Sequence, residues 1–296
     1  MYDTLLPIVA PVFLIAAAGY TWVRLGQEFP SKPISALVMN LAAPCLVFST
    51  LTTLEFQPEA FVNIAVAGLI TVVAAAALGY VVLLMLRRSH RAFLPSLTFP
   101  NAGNMGLAVC LLTFGDEGLA LGVVLFALWM TGNFVFGSWV SSGQMTVQSA
   151  LRTPILYAVP GAIALQLLSL QPPDWIATST RLVGSITIPL MLITLGASLA
   201  RLEVRSVKSV GLLAIARFTI GLAAGFGVAT LLDLEGTARG VLILQAAMPP
   251  AVINYVFAQR FEREPEEVAA MLLLATVASF ITLPLLIAFA VAQSGI

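Results

Sequence analysis

Long apolar stretches alternate with short polar connections along almost the whole chain. Ten of these stretches approach or exceed the length, roughly 20 residues, that an α-helix needs to cross a bilayer. Their approximate bounds are 4–23, 33–54, 61–86, 92–114, 118–140, 153–171, 178–200, 208–232, 238–259 and 267–292. The pattern therefore predicts an all-α integral membrane protein with ten transmembrane helices.

The composition strengthens that prediction and excludes other classes of protein. Hydrophobic residues make up 59% of the chain and charged residues 9%, with a mean hydropathy of +1.00. The 14 basic and 14 acidic side chains balance, so no overall charge favours a nucleic-acid partner. One histidine in a polar connection and no pair of carboxylates within a span offer no catalytic set. We expect no enzyme activity, no catalytic residue, no cofactor and no metal other than a coupling Na⁺.

Basic residues are distributed unevenly between alternate connections. Eleven lie on the side of the first connection and two on the opposite side. The first set is Arg24, Lys32, Arg87, Arg88, Arg91, Arg152, Arg201, Arg205, Lys208, Arg260 and Arg263, and the second is Arg181 and Arg239. The positive-inside rule places the first set in the cytoplasm and both termini outside it. The predicted location is the inner membrane of a bacterial cell, which the chain crosses several times.

Three prolines of the first half recur in the second half at nearly equal offsets. The pairs, 147, 145 and 149 residues apart, are Pro7 with Pro154, Pro44 with Pro189 and Pro100 with Pro249. The alternative is a chance alignment among seventeen prolines. A repeat of five spans places the second copy upside down in the membrane, as in many secondary transporters. The predicted halves are residues 1–145 and 146–296.

The fourth predicted span is interrupted at Pro100. Proline lacks a backbone N–H and its ring clashes with the carbonyl one turn earlier, so the helix breaks there. An unpaired peptide group in hydrocarbon costs several kcal/mol, and protein must therefore surround the break. If the helix resumes, Asn101 and Asn104 share one face of its first turn. They are predicted to line a binding site; capping of the helix is the alternative.

The ninth predicted span has the same construction. Pro249 and Pro250 remove two adjacent donors, with Gln245 before the break and Asn254 after it. Freed carbonyl and amide oxygens suit a small cation such as Na⁺, whereas the N-terminal ends of the resumed half-helices attract an anion. The breaks of the fourth and ninth spans are therefore predicted to form one site.

Other polar residues within the spans are further candidates. The candidate ion ligands, which carry amide or hydroxyl oxygens, are Asn101, Thr131, Asn133, Gln245 and Asn254. Arg217 lies well inside the eighth predicted span, where a charge marks a functional site by default. Pairing with a substrate carboxylate and snorkelling to the interface both remain open for it. For Trp129, packing is favoured over a place in a pocket.

Three segments carry a resemblance to a known family. They are Pro-Asn-Ala-Gly-Asn-Met-Gly at 100–106, Ile-Pro-Leu-Met-Leu-Ile-Thr-Leu-Gly-Ala-Ser-Leu at 188–199, and Ala-Met-Pro-Pro-Ala-Val-Ile-Asn-Tyr at 247–255. With them the chain resembles the auxin efflux carrier family of bacterial permeases, within the wider group of bile acid:sodium symporters. The resemblance implies two inverted five-helix repeats, crossed discontinuous helices 4 and 9, and scaffold and transport subdomains each drawn from both repeats.

The resemblance also implies a class of cargo. Small organic anions of the carboxylate class are expected, and Asn101 and the Pro249-Pro250 break match the family's crossover positions. The chain departs from plant members in its short connection between the halves. It also departs from the bile-acid relatives, because Gln245 stands near the place of their acidic sodium ligands.

The sequence therefore predicts a secondary active transporter of a small organic anion that works by alternating access. Coupling to Na⁺ or H⁺ stays open, as does a homodimer; besides the anion, the expected partner is the lipid bilayer. The alternative is a channel or a ligand-sensing membrane protein that uses the same pocket. The predicted substrate-binding residues are Pro100, Asn101, Asn104, Arg217, Pro249, Pro250 and Asn254.

Overall fold

The computed structural model describes residues 2–53, 58–144, 154–168, 170–201 and 207–295, and its regular elements in these ranges are helical. The α-helices are α1 (Tyr2–Arg24), α2 (Ser31–Leu37), α3 (Ala43–Thr53), α4 (Pro58–Met85), α5 (His90–Thr98), α6 (Leu107–Gly132), α7 (Ser138–Ser142), α8 (Ile155–Leu167), α9 (Asp174–Ser185), α10 (Thr187–Arg201), α11 (Val207–Leu231), α12 (Gly236–Ala246), α13 (Ile253–Arg260) and α14 (Pro265–Ser294). The π-helical turns are Val38–Ala42, Ala102–Gly106 and Asn133–Gly137.

Seven helical stretches of the described ranges are long and apolar enough to cross a membrane. They are Leu6–Arg24, Ser31–Thr53, Glu59–Met85, Ala102–Ser142, Asp174–Arg201, Val210–Leu231 and Pro265–Ser294. The chain is thus an all-helical, multi-pass membrane protein. The sequence predicts ten spans. The two numbers differ because some of the predicted spans consist of helices that are broken or short. The ninth predicted span is divided between α12 and α13, and the sixth contains the 13-residue helix α8.

The 41-residue stretch Ala102–Ser142 is kinked at Gly115. The φ of Gly115 is 64°, a backbone conformation that glycine adopts without the strain a side chain brings. The kink separates the end of the fourth predicted span from the fifth. The rest of the fourth span is the short helix α5, beyond the break at Pro100.

The helices pack in two groups. In the first group α1 runs along α10, and α3 packs against α8 and α9. In the second group α11 contacts α4, α12 and α14, and α6 packs against α4 and α12. The helices α1 and α10 are so close that a side chain at Gly19 would collide with the backbone of Ile193. The π-helical turn Ala102–Gly106 of the second group meets α10 of the first.

Contacts between helix ends join connections that the sequence assigns to one side. Three such contacts are Arg201 Nη1 to Ser31 Oγ at 3.2 Å, Arg88 Nη2 to Glu264 Oε2 at 3.6 Å and Arg263 Nε to Ser141 O at 3.1 Å. The first joins the first and seventh predicted connections, and the other two join the third and fifth to the ninth. Arg152 and Arg205 lie outside the described residues.

Candidate functional site

Two half-helices, α5 and α12, end close to a proline. The helix α5 ends at Thr98, and the next residue, Phe99, is extended with φ −99° and ψ 118°. The ring of Pro100 causes this, because a proline disfavours the helical conformation of the residue before it. The helix α12 ends at Ala246, shortly before Pro249. Both helix breaks expected from the sequence are present.

The two breaks pair with each other through an isolated antiparallel bridge between Pro100 and Pro250. Its two backbone hydrogen bonds are Asn101 N to Pro249 O at 2.7 Å and Ala251 N to Phe99 O at 3.1 Å. The bridge uses peptide groups that the interrupted helices release, which is the requirement for a broken helix at membrane depth. We call this place the crossing.

Asn101 begins the half-helix that resumes after the first break. Its side-chain oxygen accepts a hydrogen bond from the backbone N–H of Asn104 at 3.2 Å and so caps the turn Ala102–Gly106. Its side-chain nitrogen is buried and has no hydrogen-bond partner among the residues that the structure describes, and Asn101 is 4% exposed. Buried donors are normally satisfied, so this amide retains a hydrogen bond that a ligand can accept.

A cavity of about 580 Å³ lies against the crossing. One wall consists of residues 99–104 and 251–253 from the two breaks, and another of Met191, Thr194 and Ser198 from α10. The three α10 residues share one helix face because they are three and four positions apart. The cavity therefore lies between the two groups of helices.

The rest of the cavity wall is largely apolar, and its mouth is polar. Phe126, Trp129 and Met130 of α6 line it, and the indole Nε1–H of Trp129 donates to Gly68 O at 2.9 Å, which fixes the ring. Trp129 therefore lines the pocket in addition to packing against neighbouring residues. The exposed side chains of Lys32, Gln259 and Arg260 also line the cavity, so it opens to the surface at their end.

Both resumed half-helices direct their N-terminal ends toward the cavity. Residues Ala102 and Gly103 of the first and Ala251, Val252 and Ile253 of the second line it. The first N–H groups of a helix have no carbonyl within the helix, and this end carries a partial positive charge. Two such ends on one cavity favour an anionic ligand.

Asn133 and Asn254 form a hydrogen-bonded pair beside the cavity. The side-chain nitrogen of Asn133 donates to the side-chain oxygen of Asn254 at 2.9 Å, and Asn254 donates to Pro95 O at 3.2 Å. Asn133 lines the cavity, whereas Asn254 is buried behind it. Asn254 therefore supports the wall and does not form it.

Four further predicted site residues lie outside the cavity wall. Pro249 and Pro250 give their backbone to the crossing, but the wall begins at Ala251. Thr131 donates its hydroxyl to Ala127 O of its own helix at 2.8 Å. Gln245 is fully buried, and its amide nitrogen donates to Gly122 O at 3.3 Å. The structure does not bring these four to the cavity, whereas it brings Pro100, Asn101, Asn104 and Asn133 together there.

Arg217 lies behind the crossing, on the side away from the cavity. Its side chain is fully buried, so it does not snorkel to the interface. Its Nη1 donates to Leu97 O at 3.2 Å, and its Nη2 donates to Ala246 O at 2.8 Å. No carboxylate of the described residues forms an ion pair with it. Arg217 is thus not placed to contact a ligand in the cavity.

Sequence reasoning did not single out the wall of the cavity opposite the crossing. Thr194 and Ser198 belong to a segment that carries the family resemblance, and their common face with Met191 is a signal that could have found them. Lys32 and Arg260 give no such signal, because charges at the ends of spans are ordinary in membrane proteins. Within the described ranges, no group of three or more His, Cys, Asp or Glu side chains could hold a metal ion.

The sequence of the chain is similar to those of known membrane proteins. The family described as membrane transport protein matches the chain over residues 5–140 and 138–287, and the two matches suggest a repeat. An uncharacterized transporter of Methanocaldococcus jannaschii is 25% identical over 299 residues, covering 94% of this chain and 96% of its own. An uncharacterized transporter of Methanothermobacter thermautotrophicus is 24% identical over 291 residues, covering 94% and 95%.

Proposed function

The chain belongs to the membrane transport protein family, that of the auxin efflux carriers, and on this premise we propose that it is a secondary active transporter of a small organic anion. It is a membrane transporter and not an enzyme. The proposed cargo belongs to the carboxylate class, and the proposed mechanism is alternating access at the crossing.

One observation carries the proposal: two helix N-terminal ends line the same cavity as Asn101, whose buried amide nitrogen has no hydrogen-bond partner among the described residues. The ends at Ala102 and Ile253 attract negative charge, and the side-chain nitrogen of Asn101 can donate to a carboxylate oxygen. Among the described residues no acidic side chain lines the cavity, so this part of its wall does not repel an anion. We propose Pro100, Asn101, Asn104 and Asn133 as the cargo-facing residues, with Pro249, Pro250 and Asn254 supporting them.

We propose that the chain has ten spans in two inverted five-helix repeats, residues 1–145 and 146–296. The short helices α5, α8, α12 and α13 supply the spans that are missing from the seven long stretches. The crossing supports a two-fold relation, because each break gives one N–H to the other and accepts one in return. The bridge pairs Pro100 with Pro250, which supports an offset of 150 residues at the crossing, one more than the 149 of the proline alignment.

The proposed orientation places the cavity mouth in the cytoplasm. Lys32 and Arg260 at the mouth belong to the connections that carry most basic residues. The structure then corresponds to an inward-facing conformation, with both termini outside the cytoplasm. A cationic mouth favours the approach of an anion from that side.

The proposed movement displaces the two groups of helices relative to each other. The first group, which contains α1, α3 and α10, corresponds to a scaffold, and the second, which contains the crossing, to a transport subdomain. The cavity lies between them, so a shift of the second group exposes the crossing to the opposite side of the membrane.

Energetics separates the two directions of transport. A monovalent anion that enters against an inside-negative potential loses about 2.3 kcal/mol per 100 mV, and its exit gains the same amount. Accumulation in the cell therefore requires a coupled cation, Na⁺ or H⁺, whereas export can proceed without one. We propose export as the direction of transport, because export needs no further site for a coupled cation.

Flux in proteoliposomes tests the proposal. The purified protein is first screened for organic acids that raise its unfolding temperature, because a ligand of the folded state stabilises it. Vesicles loaded with a selected acid should then accumulate the labelled acid transiently by counterflow, with saturable rates and a dependence on imposed potential. Asn101→Asp vesicles serve as the matched control.

The outcomes distinguish the alternatives. Counterflow supports a carrier, whereas unsaturable currents at channel rates contradict it. Binding of an acid without any flux supports a ligand-sensing protein instead. Accumulation driven only by a Na⁺ or pH gradient would contradict uncoupled export while leaving the carrier in place.

A further inference from the structure

Arg217 contacts the C-terminal ends of both broken helices at once. Leu97 belongs to the last turn of α5 and Ala246 is the last residue of α12. The two terminal nitrogens of one guanidinium donate to these carbonyls, Nη1 at 3.2 Å and Nη2 at 2.8 Å. A single side chain from α11 thus joins the two half-helices on the side of the crossing that faces away from the cavity.

The electrostatics of the crossing is therefore divided in two. Its cavity side presents two positive N-terminal ends, and its other side presents two negative C-terminal ends, whose last carbonyls find no N–H within their own helix. Arg217 supplies positive charge to that second side, where a cation stabilises a helix end. Its planar fork of donors suits two acceptors, and an ammonium group would present its charge at one point.

The helix α11 is shaped to let the crossing approach Arg217. Gly221 follows Arg217 by one turn, and a Cβ there would lie 2.9 Å from Arg217 Nη1 and would also collide with Ala246 O. At Gly225, one turn further, a Cβ would lie 2.8 Å from the Ala246 Cβ. Glycine at both positions therefore makes room for the end of α12 against α11.

We propose that Arg217 is a positioning residue that acts as a built-in cation of the crossing. In transporters with broken helices, C-terminal half-helix ends and unwound carbonyls coordinate the coupling cation. Here the guanidinium occupies the two ends and repels a second cation, and the void beside it measures only about 10 Å³. These two ends therefore take up no Na⁺, which agrees with the proposed uncoupled export and rests on the proposed function only in that respect.

The unfolding temperature in detergent tests whether the charge of Arg217 stabilises the crossing, and this measurement needs no cargo. At equal ionic strength, Na⁺ and choline should give the wild-type protein the same unfolding temperature. Arg217→Ala should unfold at a lower temperature, and millimolar methylguanidinium should restore part of the loss in a saturable way. Arg239→Ala is the matched control, because Arg239 also donates to a backbone carbonyl, Leu234 O at 3.3 Å, but lies partly exposed. It should show no such recovery.

A second pair of variants keeps the proposal testable if Arg217→Ala does not fold. Gly221→Ala keeps the guanidinium but crowds it and the Ala246 carbonyl that it contacts. Gly227→Ala lies on the same helix, and its added Cβ would meet nothing within 4 Å. Gly221→Ala should lower the flux by about tenfold or more, which corresponds to ~1.4 kcal/mol in the population of the transport-competent conformation. Gly227→Ala should transport like the wild type.

Each contrary outcome identifies what fails. The proposal is overturned if Na⁺ stabilises the wild-type protein more than choline, if Arg217→Ala is as stable as Arg239→Ala, or if methylguanidinium restores nothing. Equal flux in Gly221→Ala and Gly227→Ala overturns it as well. Failure of the wild-type protein to transport any organic acid counts against the proposed function alone, since the unfolding results stand without it.

Discussion

The side-chain nitrogen of Asn133 lies 2.9 Å from the side-chain oxygen of Asn254, and this hydrogen bond joins residues that are 121 positions apart. Asn254 in turn donates to Pro95 O in α5 at 3.2 Å. The two bonds connect the turn after α6, the resumed helix α13 and the broken helix α5. Asn254 therefore acts on the cavity through Asn133, which lines it.

Asn254→Ala should destabilise the protein by about 1–3 kcal/mol, because it removes the acceptor of the buried side-chain nitrogen of Asn133 and one of the two hydrogen bonds that Pro95 O accepts. Asn133→Ala should remove the same bond from the other side. The double variant should lose less stability than the sum of the two single variants, with an interaction energy of about 0.5–3 kcal/mol. Chemical unfolding in detergent measures this cycle, and additive losses would show that the pair is not coupled.

Two substitutions at Asn101 should separate stability from transport. Asn101→Asp keeps the oxygen that caps the helix, whereas Asn101→Ala loses the cap and about 0.5–2 kcal/mol of stability. Both should lower transport by about tenfold or more, equivalent to ~1.4 kcal/mol, because neither can donate a hydrogen bond to the cargo. Asp should also repel it.

The readouts are unfolding temperature and counterflow for the same preparations. Asn101→Asp should unfold closer to the wild type than Asn101→Ala does, yet transport no better. If Asn101→Asp retains full transport of an organic anion, the side chain does not face the cargo.

The helix breaks could be predicted from the sequence because their cause is local. Pro100 and Pro249 lack an N–H and restrict the residue before them wherever they lie in a chain. The position of Asn101 at the start of the resumed helix follows from the same local cause. The pairing of Pro100 with Pro250 depends on the relative depth of two distant helices. An alignment of the prolines cannot reveal whether Pro100 pairs with Pro249 or with the next residue.

The cavity wall and the role of Arg217 depend on packing and could not be predicted in this way. A charge within a span signals function, but the sequence does not reveal that Leu97 and Ala246 converge on Arg217. Thr194 and Ser198 face the cavity because α10 lies opposite the crossing, and no local rule places it there. Tertiary contacts between the two groups of helices decide both.

Neutralising the mouth of the cavity should weaken the capture of cargo. Lys32→Gln and Arg260→Gln should each raise the KM for export at low salt by about threefold to tenfold, with little change in kcat, because charged clefts raise the local concentration of an oppositely charged ligand. High salt should abolish the difference, since exposed charges are screened.

Arg181→Gln is the control for that prediction, because Arg181 is an exposed arginine of α9 outside the cavity wall. Its KM should match the wild type at every ionic strength. Export is measured from vesicles whose lumenal side carries the mouth. An equal salt dependence in all three variants would show that the mouth does not attract the anion.

Gly103 faces Phe126 in the cavity wall, and we predict that this contact limits the size of the cargo. A Cβ at Gly103 would lie 2.6 Å from Phe126 Cε2 and 3.2 Å from the methyl group of Met191, so Gly103→Ala forces the ring into the cavity or displaces the start of the half-helix. Overpacking of this kind costs about 1–3 kcal/mol. Large organic acids should lose more transport than small ones, because the added volume narrows the space beside the crossing.

Gly161→Ala on α8, where a Cβ would meet nothing within 4 Å, should leave both stability and size preference unchanged. Competition by a series of carboxylic acids of increasing length measures the preference, and an equal loss for all acids would place the cargo away from Gly103.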